Sequence, residues 1–298
     1  MNTKEQPPVV EQKAYPRWGR ERRLEFIDFR LRWEGRLNRS DLMSFFGISV
    51  PQASLDIAKY LELAPSNLTY DRSARVYVAT SEFSQLFPAS SSSRFLNELL
   101  AIESGLVELE SSFLGWRPST SLVPTPGRTL SPDILAGLLR AIRDQSSVEV
   151  LYQSMTRPEP TKRVLRPHAF AHDGSRWHVR AYCSERKKFL DFVVARMLEL
   201  QPSTEGGPNA EDDETWQEMV EVVIAPHPKL PESVKKAIAL DYGMVDGESR
   251  IPCKRALLFY FLRHLGLDAE IEGEPPKQQI VLVNRAEVLG PAPAPNAS

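Results

Sequence analysis

Residues 36–78 read RLNRSDLMSFFGISVPQASLDIAKYLELAPSNLTYDRSARVYV. This stretch predicts two short helices, the first capped near Ser40, joined by a tight turn and followed by a β-hairpin. Gly47 can adopt the positive φ that the bend between two such helices often requires. Ser49 is a good N-cap for the second helix, with Pro51 in its first turn. Together with a preceding helix at about 19–33, the order predicts a winged helix-turn-helix.

The helix that begins at Ser49 is expected to recognise DNA. Its buried side is assigned to Leu55, Ile57, Ala58 and Leu61. Its outward side is assigned to Ser49, Gln52, Ala53, Asp56, Lys59 and Tyr60, which recur every three or four residues. Gln52 can bond bidentately to adenine, Ala53 can contact a thymine methyl group, and Lys59 can neutralise a phosphate.

The hairpin after this helix predicts a wing, with strands at 68–70 and 75–78 and Arg72 at its tip. Arginines in such a wing typically contact the DNA backbone or enter the minor groove. The candidate DNA-binding residues are Ser49, Gln52, Ala53, Ser54, Lys59, Arg39, Tyr70, Arg72 and Arg75. The alternative is a helix-turn-helix that serves only protein contacts.

The composition is that of an ordinary globular protein, with 298 residues, 42% apolar and 26% charged. The longest apolar run, at 256–262, is too short to span a bilayer, and the N-terminus lacks an apolar signal core. Cys183 and Cys253 form no disulfide framework, which fits a reducing compartment. These features predict a cytoplasmic protein.

Charge is unevenly distributed along the chain. Residues 13–39 carry nine basic residues against four acidic ones, and residues 157–188 carry nine against three. Residues 199–221 carry eight acidic residues and no basic one. Two basic zones and an acidic linker indicate two separate sites for anions. The alternative is that the arginines only form ordinary solvent-exposed faces of helices.

The second basic zone contains a strand with clear alternation at 176–182. Trp177, Val179 and Ala181 are expected on one face, after a hairpin turn at Asp173-Gly174. The opposite face suits an anionic or nucleotide-like ligand, and neighbouring segments could converge on it. The candidate ligand-binding residues are Ser154, His168, Arg176, His178, Arg180, Tyr182 and Arg196. The alternative is an ordinary solvated face of an antiparallel sheet.

No enzyme motif is present, since the chain lacks GxxxxGK[ST], HExxH and GxSxG. The spacing of His168, His172, His178 and Cys183 fits no zinc site. The sequence therefore predicts a protein that is not an enzyme and that needs no metal or cofactor.

The expected fold class is α+β, and the domains follow composition and periodicity. One amphipathic helix is expected over 93–115, and a short helix over 132–143 is capped by Ser131. The predicted boundaries are a flexible tail at 1–16, a winged helix-turn-helix at 17–90, a linker helix and connector at 91–130, a strand-rich domain at 131–202, an acidic linker at 203–215, an α+β extension at 216–285 and a disordered tail at 286–298.

The strand-rich domain resembles the WYL domain, an Sm-like β-barrel named for a Trp-Tyr-Leu run. The resemblance lies in RWHVRAYC at 176–183 and DFVVARM at 191–197, although the run here is Trp177-His178-Val179. Further motifs are similar to BrxR and CapW, the regulators of bacterial anti-phage islands. They are WEGRLNRSDLMSFFGIS, VPQASLDIAKYLELAPSNLTYDRSARVYVAT, LYQSM, RPHAF and VVIAPHPKLP.

This resemblance covers about residues 17–285. It implies a dimeric repressor of a phage-defence operon that binds an inverted repeat, and a C-terminal extension, often called WCX, that contacts the partner chain. It also implies a ligand cavity for a nucleotide or nucleic acid. The residues that would line this cavity, judged from their positions in the family motifs, are Ser154, His168, His178, Arg180, Tyr182 and Arg196. The alternatives are a transcription activator and a ligand-sensing accessory subunit of a nuclease or helicase system.

Dimerisation is also expected from physical reasoning, because one winged helix alone makes few base contacts. The helix at 93–113 could pair with a partner through its apolar stripe, or the stripe could pack within one chain. The stripe consists of Phe95, Leu99, Ile102, Leu106 and Leu109.

Overall fold

A computed structural model describes residues 19–88, 91–124, 126–269, 273–275 and 277–290. The chain divides into two compact units on either side of the Pro124–Thr125 bond. The tail expected at 1–16 and residues 291–298 of the second expected tail lie outside the described residues.

The first unit is a helical domain with a small sheet. Its elements are α1 (Arg20–Glu34), β1 (Arg36–Leu37), α2 (Arg39–Phe46), α3 (Val50–Leu63), β2 (Leu68–Asp71), β3 (Val76–Ala79), α4 (Ser92–Glu103) and a 3-10 turn (Leu109–Ser111). The sheet has the antiparallel order β1-β3-β2, with Thr69 opposite Val78. This is the helix order and wing that the sequence predicts.

α1 is the central helix of this unit. Leu24, Ile27 and Leu31 are buried as predicted, but Phe26 and Phe29 are buried as well, so the helix is enclosed on more than one side. The Phe26 ring lies 5.3 Å from the ring of Phe46 on α2, with an angle of 78° between the ring planes. Edge-to-face contacts of this kind add to the area that the rings bury. α1 is therefore the scaffold against which the other helices are oriented.

α4 is shorter than predicted. It ends at Glu103 because Gly105 adopts a left-handed φ of +71°, which terminates the helix. Leu99 is buried in the core, whereas Leu106, assigned to the same apolar stripe, is 80% exposed. The single helix expected over 93–115 is thus a helix, a turn and a 3-10 segment.

The second unit begins with α5 (Pro132–Arg143) and a five-stranded antiparallel sheet in the order β7-β6-β5-β4-β8. The strands are β4 (Ser147–Tyr152), β5 (Thr161–His172), β6 (Trp177–Cys183), β7 (Lys188–Val193) and β8 (Met197–Ser203). Ser131 caps α5 as predicted. Leu138 of α5 packs with Val150 and Val179 of the sheet in one buried cluster.

The expected closed barrel is not found among the described residues. A 3-10 turn (Val194–Arg196) follows β7, after which β8 pairs with β4, so that β7 and β8 form the two edges of the sheet. The strands keep the order of a five-stranded barrel, but among the described residues no pairing between β7 and β8 closes the sheet.

The remainder of the second unit is a smaller α+β layer. Its elements are a 3-10 turn (Ala210–Asp212), α6 (Glu214–Gln217), β9 (Met219–Pro226), α7 (Glu232–Asp241), β10 (Ser249–Lys254), a 3-10 turn (Arg255–Leu257), α8 (Leu258–His264), β11 (Ile280–Leu282) and α9 (Arg285–Leu289). The sheet order is β10-β9-β11. Val288 of α9 is buried, so ordered structure continues past residue 285, where a disordered tail was expected to begin.

Within the described ranges, no helix combines the length and the apolar character needed to cross a membrane.

Candidate DNA-recognition helix and ligand cleft

The start of α3 is built as predicted. Gly47 adopts a φ of +63° after α2, and the Ser49 hydroxyl accepts a hydrogen bond from the Gln52 backbone N–H at 3.4 Å. This bond satisfies one of the backbone donors that a helix N-terminus leaves unpaired.

The buried side of α3 is more polar than predicted. Ala53, Asp56 and Tyr60 are almost fully buried, although the sequence pattern assigned all three to the outward side. Arg23 of α1 binds the Asp56 carboxylate, with 2.6 Å from Nε to Oδ2. The Tyr60 hydroxyl donates to Oδ1 of Asp28 at 2.6 Å, and burial raises the pKa of Tyr60 far above its usual value.

The outward stripe of α3 consists instead of Pro51, Leu55, Ala58 and Glu62, which follow one another at intervals of three or four residues. Leu55 is 64% exposed. The prediction that Ala53 contacts a thymine methyl group is therefore wrong, because Ala53 is fully buried in the hydrophobic core of this unit. Buried ion pairs and hydrogen bonds allow polar residues to lie on the core side of α3. The pattern of polar residues therefore predicted the wrong face of the helix.

The other predicted residues of α3 lie at the edges of the outward stripe. Gln52 is half-buried, and its side-chain Nε2 donates to Asp56 at 3.0 Å. Lys59 forms a surface ion pair with Glu62 at 2.8 Å, and Ser54 is partly exposed.

The wing and the start of α2 carry exposed basic groups. Arg72 lies in the β2–β3 turn, and Arg75 ends that turn at a left-handed φ of +54°. Arg39 donates to the Tyr77 hydroxyl at 2.8 Å, and the Tyr77 ring lies 4.9 Å from that of Tyr70. All the predicted wing residues are therefore accessible, and Arg39 is positioned by the wing.

In the second unit, the alternation predicted for β6 is confirmed. Val179 and Ala181 are fully buried in the core beneath the sheet, although Trp177 at the start of the strand is half exposed. His178 and Arg180 lie on the opposite face, where they too are buried. That face is covered by the chain that follows the sheet.

Arg180 is already paired within the chain. Its guanidinium donates to Asp213 from Nε at 2.7 Å and from Nη2 at 3.0 Å, and to Asp191 at 3.2 Å. His168 shares the Asp213 carboxylate at 3.0 Å. Burial lowers the pKa of His168 and outweighs the opposite effect of Asp213. Burial alone would raise the pKa of Asp213, but the bonds from Arg180 and Thr215 lower it.

Three predicted ligand residues line an open cleft of 460 Å³ between the sheet and α8. They are Arg176, His178 and Arg196, and α8 contributes Phe259, Tyr260, Arg263 and His264. Arg196 and Arg263 form no ion pair with any described residue. The cleft therefore combines aromatic surface with cationic groups that are available to an anion.

His178 is held at the side of this cleft. Its Nε2 lies 2.9 Å from an oxygen of Asp173, while its buried Nδ1 has no hydrogen-bond partner in the described part of the chain. Burial opposes ionisation of Asp173, but hydrogen bonds from His178 and from backbone N–H groups lower its pKa well below the usual range. The Tyr260 hydroxyl donates to Asp191 at 3.2 Å.

The seven predicted ligand residues thus do not form a single site. His168 and Arg180 surround Asp213, Tyr182 packs on the ring of Phe189, and Ser154 bonds to Thr156. Sequence reasoning missed the α8 contribution. The run FYFLRH at 259–264 carries aromatic and basic groups on one short helix. This combination is the sequence feature that could have indicated a contribution of α8 to the cleft.

No cluster of three potential metal ligands occurs in the ranges that the structure describes.

Three family models match the chain. Residues 19–101 match the BrxR transcriptional regulator winged helix-turn-helix domain. Residues 133–202 match the WYL domain. Residues 219–288 match the BrxR transcriptional regulator C-terminal dimerization domain.

Among solved structures, proteasome accessory factor B/C (PafBC) of Arthrobacter aurescens aligns with 96% of this chain at 15% identity and a TM-score of 0.28. This chain spans 50% of that protein's length.

Whole-chain relatives are named DNA-binding transcriptional repressor CapW. The relative from Pseudomonas aeruginosa is 48% identical over 282 residues, which cover 94% of each chain. The relative from Stenotrophomonas maltophilia is 48% identical over 272 residues, and that from Escherichia coli (strain KTE188) is 44% identical over 273 residues, each covering 91% of both chains. The chain therefore belongs to the BrxR/CapW family of WYL-domain transcriptional regulators.

Proposed function

We propose that this protein is a transcriptional repressor of a phage-defence operon, and that it binds its operator through α3 and the wing. The observation that carries the proposal is the accessible face of α3, together with exposed Arg72 and Arg75 in the wing of the same unit. Cationic side chains in these places neutralise phosphates and fix the register of the helix in the major groove. The names of the full-length CapW relatives support repression over activation.

The active form is a homodimer that acts on an inverted repeat in the cytoplasm, and it is a regulator rather than an enzyme. The match of residues 219–288 to a dimerization domain supports self-association. Two copies related by a dyad would recognise two half-sites, spaced by about one 10-bp turn or a multiple of it.

The domain boundaries predicted from the sequence are retained, except where α9 continues beyond residue 285.

The test is a footprint on the DNA upstream of the chain's own gene, combined with a reporter driven by that DNA. We expect protection of a palindrome and repression of the reporter. The triple variant Arg39→Ala, Arg72→Ala, Arg75→Gly should lose both, whereas Arg143→Ala, an exposed arginine outside the winged helix, should keep both. A reporter activated by the protein would overturn repression, and the absence of any protected site would overturn the proposal.

The second part of the proposal is that an anionic effector bound in the cleft beside α8 gates DNA binding. Arg196 and Arg263 line the cleft and form no ion pair with any described residue, which supports this assignment. Binding of effector and operator must then be coupled reciprocally, because both equilibria involve the same states of the protein.

Calorimetric titration with nucleotides and short oligonucleotides tests the cleft. We expect one of these anions to bind the wild type and to shift operator affinity, and Arg196→Ala to weaken both effects. Arg250→Ala, whose exposed side chain pairs with Glu221, is the matched control. Equal effector binding by the wild type and Arg196→Ala would place the effector site elsewhere.

A further inference from the structure

Leu55 lies at the centre of the outward stripe of α3, with Pro51 before it and Ala58 after it. A single exposed leucine on a protein surface needs no explanation. Here, however, three consecutive positions of the stripe are apolar, and they occupy the N-terminal half and the middle of the helix. This is the part of a recognition helix that contacts base edges.

The three apolar side chains of this stripe, which precede Glu62, cannot recognise bases through hydrogen bonds. Pro51, Leu55 and Ala58 have no polar side-chain atom. The polar neighbours lie at the edges of the stripe, and Gln52 already donates one amide hydrogen to Asp56 at 3.0 Å. The apolar group that a base pair presents in the major groove is the C5 methyl of thymine.

The surroundings of the stripe favour DNA over a protein partner as its occupant. Arg72 and Arg75 on the wing and Arg39 at the start of α2 are all exposed. An apolar stripe in a unit that also exposes three cations complements a groove that displays methyl groups between two rows of phosphates.

We propose that α3 distinguishes operator sequences chiefly through thymine methyl groups, with Leu55 as the central contact. This inference rests on the proposed DNA-binding function and adds the chemistry of discrimination to it. It replaces the assignment of the thymine contact to Ala53, which is buried.

The test uses the footprinted operator duplex and fluorescence anisotropy. Each thymine of both half-sites is replaced in turn by deoxyuridine, which lacks only the methyl group. We expect wild-type binding to weaken about fourfold at one or two positions, the size of effect given by exposing one buried methyl group. Leu55→Ala should bind the unmodified duplex more weakly and should lose its sensitivity to uridine at those positions.

Leu63→Ala is the matched control, because Leu63 is 47% exposed near the other end of the same helix. It should keep the wild-type response to uridine. Uniform wild-type affinity for all uridine duplexes, or undiminished sensitivity in Leu55→Ala, would overturn the inference while operator binding itself stands. Failure of the wild type to bind any duplex would refute the proposed function and this inference together.

Discussion

The guanidinium of Arg180 binds the carboxylate of Asp213 through two hydrogen bonds, with 2.7 Å from Nε to Oδ2 and 3.0 Å from Nη2 to Oδ1. Both side chains are buried. Arg180 was predicted to hold an anionic ligand, and in this structure it holds an anion that belongs to the chain itself. Asp213 precedes α6 and β9, so the pair fastens the start of the C-terminal layer to the sheet.

Replacing Arg180 by alanine should therefore destabilise the fold. Removal of one member of a buried ion pair leaves the other charge uncompensated, which typically costs about 3–5 kcal/mol. Urea unfolding of the full-length chain, followed by tryptophan fluorescence, measures the loss. Arg250→Ala, which breaks exposed ion pairs with Glu221 and Glu248, should cost far less, because solvent screens such pairs. Equal stability of the two variants would contradict a structural role for Arg180.

The stability of the second unit should decrease as the pH falls below about 6.5, the ordinary pKa of histidine. Burial lowers the pKa of His168 in the folded chain, so the unfolded chain takes up a proton first. The stability that neutral His168 contributes is complete above that pH, and it is lost as the pH falls toward the lowered folded value.

The His168 contribution is measured as the slope of unfolding free energy against pH between about pH 7 and 5, where one group gives at most about 1.4 kcal/mol per pH unit. His168→Gln should flatten this slope, whereas His172→Gln, which alters an exposed histidine, should not. An unchanged slope in His168→Gln would show that another group is responsible.

Tyr60→Phe should destabilise the winged helix by about 1.5–3 kcal/mol, the usual contribution of a hydrogen bond to a charged group. The variant removes the hydroxyl that donates to Asp28 at 2.6 Å and accepts from Asn67 at 2.9 Å. Thermal denaturation checks the prediction, and Tyr70→Phe at an exposed ring is the control. A Tyr60→Phe variant as stable as Tyr70→Phe would contradict it.

Arg72→Ala should weaken binding to all DNA sequences alike. A side chain that contacts one phosphate contributes about 0.9 to the slope of log affinity against log salt concentration. Fluorescence anisotropy at several salt concentrations, with operator and scrambled duplexes, measures that slope. Arg143→Ala should leave it unchanged, and a change confined to the operator duplex would show that Arg72 contacts a base instead.

The sequence predicts secondary structure better than it predicts the neighbours of each side chain. Ser49, Gly47 and Ser131 mark helix ends through local chemistry, and each lies where it was expected. The alternation on β6 correctly separates Val179 from Arg180, because each residue's face follows directly from the extended backbone.

The errors arise where distant residues pair with each other. Asp56 has the polarity of a surface residue, but Arg23, 33 positions earlier, compensates its burial. Asp213 likewise occupies Arg180 from 33 positions away. Periodicity contains no information on such partners, so it placed Asp56 on the outward side of the helix and left Arg180 open to a ligand.

The bond from Tyr60 to Asp28 has a consequence for how new operators could be recognised. The same carboxylate accepts the backbone N–H groups of Leu86 and Phe87, so α1, α3 and the segment after the wing are anchored at one point. The orientation of α3 is thus held from its inner side. We expect substitutions on the outer side to change sequence preference at little cost in stability. A duplicated gene of this kind could diverge toward another promoter by surface changes alone, and the same positions offer a practical route to retargeting.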